Sequence, residues 1–147
     1  MTLPAREMPD REMTALLRRE SRSLVQRLRL WTPARYAALV PGSAVSRADL
    51  VHHLAQALAD TVAACEVTTP RVLPRMPNDL VLADQLAVIS DDLVRAHPPD
   101  TVAVAATAHL LAHRYDLLEE DVPSGLAASL GLDDVLAAGR EGCDRAT

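Results

Sequence analysis

The sequence has no lysine and no phenylalanine. Without lysine there is no Schiff-base chemistry and no phosphate-loop ammonium. Glycine-rich phosphate loops are absent too, and no serine stands in a nucleophile-elbow pattern. Only two cysteines occur, Cys65 and Cys143, too few for a disulfide framework. Cys65 lies in an apolar helical pattern and reads as a small core residue. The aromatics are Trp31, Tyr36 and Tyr115, a thin supply for stacking on bases. No apolar run is long enough to span a bilayer, and the N-terminus has no signal-like core, so a soluble cytoplasmic protein is expected.

What is present suits one folded domain. The chain has 147 residues, of which 49% are hydrophobic and 24% charged, enough to bury a sizeable core. Its net charge of −5 is unevenly placed. Residues 1–35 carry eight arginines against four acids, and residues 78–147 carry four arginines against thirteen acids. An acidic chain of this kind is a poor nucleic-acid binder. The arginines of the first helix read as a solvated face. So do the acid clusters Asp91-Asp92, Glu119-Glu120-Asp121 and Asp133-Asp134, or else as caps.

The periodicity predicts an all-α fold. Residues 1–9, with Pro4 and Pro9, form a flexible arm. A single helical domain follows over 10–140, with 141–147 as a tail. Asp10 is placed to cap a first long helix reaching about Leu30, with Met13, Leu17, Leu24, Leu28 and Trp31 inward. Thr32-Pro33 starts a short helix through Val40, stopped at Pro41-Gly42. Ser46 or its neighbour caps the next long helix, which runs to about Cys65 and turns Val51, Leu54, Leu58 and Val62 inward. Residues 67–77 hold three prolines and make a connection long enough to cross the end of a bundle. Asn78 or Asp79 caps the third long helix, with Leu82, Leu86, Ile89 and Leu93 inward. His97-Pro98-Pro99 stops it, and Asp100 or Thr101 caps the fourth. The short stop makes those two helices antiparallel. Short helical pieces follow around 126–130 and 132–138. The expected architecture is a four-helix bundle with a longer connection between its second and third main helices.

Two histidines, His109 and His113, stand one helical turn apart and leave the same face. Val102, Ala105, Ala106, Ala112 and Asp116 share that face, and its alanines leave room for an ion or ligand. On the second long helix, His53 falls at the edge of the apolar face and His52 on the polar side. His53, His109 and His113 are therefore candidate inward ligands. Neutral imidazoles suit zinc first, with nickel or iron as alternatives, and three of them leave a position open for water or substrate. Asp116 is placed to accept a hydrogen bond from the ring of His113. Such pairs also occur in ordinary bundle helices, so both readings stand. Val104, Leu111 and Leu118 lie on the other side of the fourth helix, a second apolar stripe. Either the C-terminal pieces or a second copy in a homodimer must cover it.

Pro41-Gly42, then Val45, then Ala48-Asp49-Leu50-Val51-His52-His53-Leu54 resembles the segment Pro-Gly-Trp-x-Val-x-Asp-Leu-x-x-His-Leu. That segment occurs in the DinB-like superfamily, especially in the N-terminal domain of mycothiol-dependent maleylpyruvate isomerases. Here Ser43 stands where that pattern has tryptophan. His109 to Leu117, ending His-Arg-Tyr-Asp-Leu, is similar to the family's later helix. The resemblance implies a four-helix bundle with a long middle connection and His53, His109 and His113 as metal ligands. It also implies a transferase or isomerase that uses a thiol cofactor such as mycothiol.

Overall fold

A computed structural model describes residues 7–119. They form five α-helices, α1 (Glu7–Leu28), α2 (Pro33–Ala37), α3 (Arg47–Glu66), α4 (Leu82–Arg95) and α5 (Asp100–Leu118). A 3-10 turn, Asp79–Val81, leads into α4, and no strand occurs among the described residues. The short C-terminal pieces, residues 1–6 of the arm and the tail lie outside the described residues.

The cap expectations meet three different outcomes. Helix α1 already includes Asp10, so that residue is not its cap. Pro9 sits in the first turn, where the missing N–H would have had no partner. Thr32 and Ser46 do cap α2 and α3, accepting from the amides of Arg35 at 3.3 Å and Asp49 at 3.1 Å. Asn78 caps the 3-10 turn through Leu80 N–H at 3.0 Å. Helix α5 has Pro99 at its cap position and no side-chain cap, so neither Asp100 nor Thr101 serves.

Helix α2 stops at Ala37, short of Val40. Beyond it the chain turns back on itself, with Val40 N–H on the Val45 carbonyl at 2.8 Å and Arg47 N–H on Ala38 at 2.9 Å. Gly42 makes that reversal at φ +72°, the left-handed region that glycine enters without a steric cost.

The long helices form a square in which α1 packs on α4 and α5, and α3 packs on the same two. Helices α4 and α5 are consecutive, yet they pack on α1 and α3 rather than on each other. Directions follow from the cross-contacts. Arg29 of α1 pairs with Asp84 at the start of α4 at 3.2 Å, so those two run oppositely. Arg47 at the start of α3 pairs with Glu119 just past α5 at 3.2 Å, so those two also run oppositely. Arg114 of α5 meets Glu20 of α1 at 3.2 Å, while Leu118 lies beside Trp31 further on, so α1 and α5 run together. Helices α3 and α4 are then parallel neighbours, and parallel neighbours need a connection that returns the length of the bundle.

Residues 67–78 provide that return, lying along the polar side of α3. Gln56 accepts from Leu73 N–H at 2.7 Å and donates to the Arg71 carbonyl at 2.9 Å. Arg75 reaches Asp49 at 3.4 Å and Asp79 at 2.8 Å. The core inside the square is mainly leucine: Leu17, Leu24, Leu28, Leu54, Leu58, Leu82, Leu86, Leu93, Leu110 and Leu117, with Tyr36 fully buried beside it. No described helix is long and apolar enough to cross a membrane.

Candidate histidine edge

Helix α5 is apolar nearly all round, so its periodicity says little about which side turns inward. The buried side carries Ala103, Ala106, Thr107, Leu110, Leu111, Leu117 and Leu118. His109 and Ala105 are exposed, and Ala112, His113 and Asp116 are half-buried. The histidine face is thus the outer edge of α5 rather than an inward one. On the opposite stripe Leu111 and Leu118 are only 2% and 8% exposed, and Val104 is half-buried.

On α3 the expected fates of the adjacent histidines are reversed: His52 is half-buried and His53 is exposed. The expectation counted only large side chains. Ala48 and Ala55 are buried at 1% and 0% exposure and move the centre of the inward face toward His52. At helical spacing His53 then lies almost opposite that centre. His52 also sits on the side that the returning connection covers, one turn from both Asp49 and Gln56. Its Nδ1 is buried with no partner among the described residues.

The α5 pair has a definite local geometry. The two rings are 6.0 Å apart between centroids and tilted by 37°. His113 Nδ1 lies 2.7 Å from the His109 carbonyl. A carbonyl only accepts, so Nδ1 carries the proton and the lone pair of the neutral ring is on Nε2. The acceptor for His113 is therefore this backbone oxygen rather than the Asp116 carboxylate. Burial lowers the proton affinity of His113, the His109 bond opposes that, and the charges of His109 and His53 lower it further. The influence of His53 puts α3 and α5 within electrostatic reach at this edge. His52 is also lowered, by burial first, then by Arg75 and His53, with Asp49 opposing.

Both readily available ligands, His53 and His109, stand out in solvent. Among the described residues no group of three or more His, Cys, Asp or Glu side chains is gathered so as to hold a metal ion. The donor types suit zinc, but the rings as they stand do not close on one point.

No family model, no curated protein and no solved structure matches this chain.

Two features of the structure were not anticipated from the residues. One is the burial of His52 beneath the connection, which only the doubling-back of residues 67–78 produces. The other is a groove between α1 and α4 floored by Ser21 and Ser90. Buried serines at positions in step with Leu24, Leu28, Leu86 and Leu93 were the available signal.

Proposed function

We propose that this chain is a DinB-like helical bundle that holds a divalent metal, zinc before nickel or iron, through His53, His109 and His113. The observation that carries the reading is the bond from His113 to the His109 carbonyl, which leaves the Nε2 lone pair of a ring with low proton affinity available. The return of the chain between α3 and α4 also agrees with the long middle connection that the resemblance implies. Binding requires exposed His53 and His109 to turn toward His113, a change that solvent-facing side chains make at little cost. Bound there, zinc would supply a lowered pKa to a coordinated thiol or water. On the resemblance, the activity is a thiol-dependent transfer or isomerisation in the cytoplasm, with mycothiol as the thiol. The test is elemental analysis of untagged protein beside the His53→Ala, His109→Ala and His113→Ala variants. Stoichiometric metal in the parent and its loss from all three is the expected result; a metal-free parent overturns it.

A second reading is a bundle that binds no metal and works as an interaction module that forms a homodimer. The exposure of His53 and His109 favours it, as does Leu30, which is 81% exposed beside Trp31. Sedimentation of the metal-free protein across concentrations tests it, and a constant monomer mass removes the dimer.

A further inference from the structure

Helices α1 and α4 enclose a groove of about 370 Å³ on the side of the bundle away from α3 and α5. Ligand sites of the usual kind run from roughly 300 to 1,000 Å³, so this one suits a small molecule. Its floor includes Ser90, which is 2% exposed. The Ser90 hydroxyl is buried and has no partner among the described residues. Three other hydroxyls of the bundle bond back to their own helix: Ser21 of α1 to the Arg18 carbonyl at 3.0 Å, Thr61 of α3 to Ala57 at 2.9 Å and Thr107 of α5 to Ala103 at 2.8 Å. Ser90 does not, and a buried hydroxyl left unpaired is costly.

The walls carry opposite charges. Arg22 and Arg29 line the α1 side and Asp91 the α4 side. Arg29 is engaged by Asp84 at 3.2 Å. No ion pair joins Arg22 to Asp91 across the groove. A simple anion placed here would face Asp91, and a simple cation would face Arg22 and Arg29. A molecule with a charge of each sign at its ends satisfies both walls.

We propose that the α1/α4 groove binds a small aminocarboxylate. Its carboxylate takes Arg22 as a donor, the Ser90 hydroxyl rotates about χ1 out of the floor to donate to the same carboxylate, and the ammonium donates to Asp91. The site is separate from the histidine edge and does not depend on metal there.

The test is titration calorimetry on the full chain, stripped of metal with 1,10-phenanthroline so that chelation contributes nothing. The probes are glycine, β-alanine, 4-aminobutyrate and 6-aminohexanoate, which vary the distance between the charges. Butyrate and butylamine carry one charge each. At least one of the four amino acids should bind saturably, about tenfold or more tighter than either singly charged control. Arg22→Gln and Asp91→Asn, both at exposed positions, should each weaken it by at least about tenfold, and Ser90→Ala by roughly twofold to tenfold. Unchanged melting curves for the three variants keep a folding defect out of the comparison, and a variant that melts early is replaced by Arg22→Lys, Asp91→Glu or Ser90→Cys. Absence of saturable binding by any of the four, equal binding of butyrate, or indifference to Asp91→Asn overturns the proposal.

Discussion

The phenol of Tyr36 donates a hydrogen bond to the carbonyl of Leu28 at 2.9 Å. That carbonyl belongs to the last turn of α1, where helix oxygens lack partners, and it also accepts from Trp31 N–H at 3.1 Å. Trp31 meets the Tyr36 ring edge-on at 5.2 Å, so one fully buried side chain closes α1 and anchors α2.

Tyr36 should make this protein sensitive to alkali. Its pKa is raised from 10.0 to about 12, by burial first and then by the charges of Asp79 and Asp84. The folded chain therefore holds this proton more tightly than the unfolded chain. The stability involved is fully present below pH 10 and is lost as pH rises through about 12, amounting to roughly 2–3 kcal/mol. With no lysine in the sequence, few other groups titrate in that window. Tyrosinate absorbance against pH should show a late step that Tyr36→Phe removes. At neutral pH the same variant should lose about 1 kcal/mol, the worth of one buried hydrogen bond. A normal titration of Tyr36 would contradict its burial.

On the acid side, His52 and His113 both have their pKa lowered from 6.5, mainly by burial. The unfolded chain then binds more protons than the folded chain just below 6.5, so stability is full above that value and falls as pH drops beneath it. Arg75 and His53 face His52 with like charge, while Asp49 offsets part of it. His109 and His53 face His113. In metal-free protein, urea midpoints should fall between about pH 7.5 and about pH 5.5. His52→Gln and His113→Gln should each make that fall shallower. An unchanged slope in both would assign the effect to other groups.

If the histidine edge holds zinc, saturating zinc should raise stability by roughly 3–4 kcal/mol at 100 to 1,000 times its dissociation constant. The gain should vanish with chelator and in acid, because protons compete for the same nitrogens. His53→Ala should abolish it, whereas His52→Ala should not. Melting curves indifferent to zinc at neutral pH would leave the metal-free reading in front.

Val67 ends α3 at φ 54°, and its N–H bonds back to the carbonyls of Ala63 and Ala64. A β-branched residue is strained there. Its side chain is 92% exposed, so little packing opposes replacement. Val67→Gly should stabilise the protein by about 0.5–1 kcal/mol, after allowing for the greater freedom of glycine in the unfolded chain. A melting temperature lower than that of the parent would show that the valine contributes packing to the connection.

The fold was legible where large side chains and caps repeat. Leu17, Leu24 and Leu28, then Leu54 and Leu58, then Leu82, Leu86 and Leu93 mark the inward faces that the structure shows, and Thr32 and Ser46 start the elements they were expected to start, whereas Asn78 caps the 3-10 turn ahead of the long helix it was expected to cap. The site was less legible for three physical reasons. Buried alanines bring faces together without the bulk that a periodicity reading weighs, and so Ala48 and Ala55 hid the true position of His52 and His53. Helix α5 has no single apolar stripe, so its sequence leaves its rotation undetermined until α1 and α3 close on it. And the polar side of α3 looked solvated until residues 67–78 folded back over it, a contact between segments whose sequences carry no mark of each other.

The square arrangement has a consequence for how the chain is made. Helix α1 is synthesised first, but its neighbours are α4 and α5, the last two helices described. Leu17, Leu24 and Leu28 therefore leave the ribosome before the two helices that cover them. At ~5–20 residues per second the wait for α5 is on the order of ten seconds. During that interval the arginine-studded outer face of α1 is what keeps the nascent segment in solution, and a chaperone that grips apolar helices has its clearest opportunity.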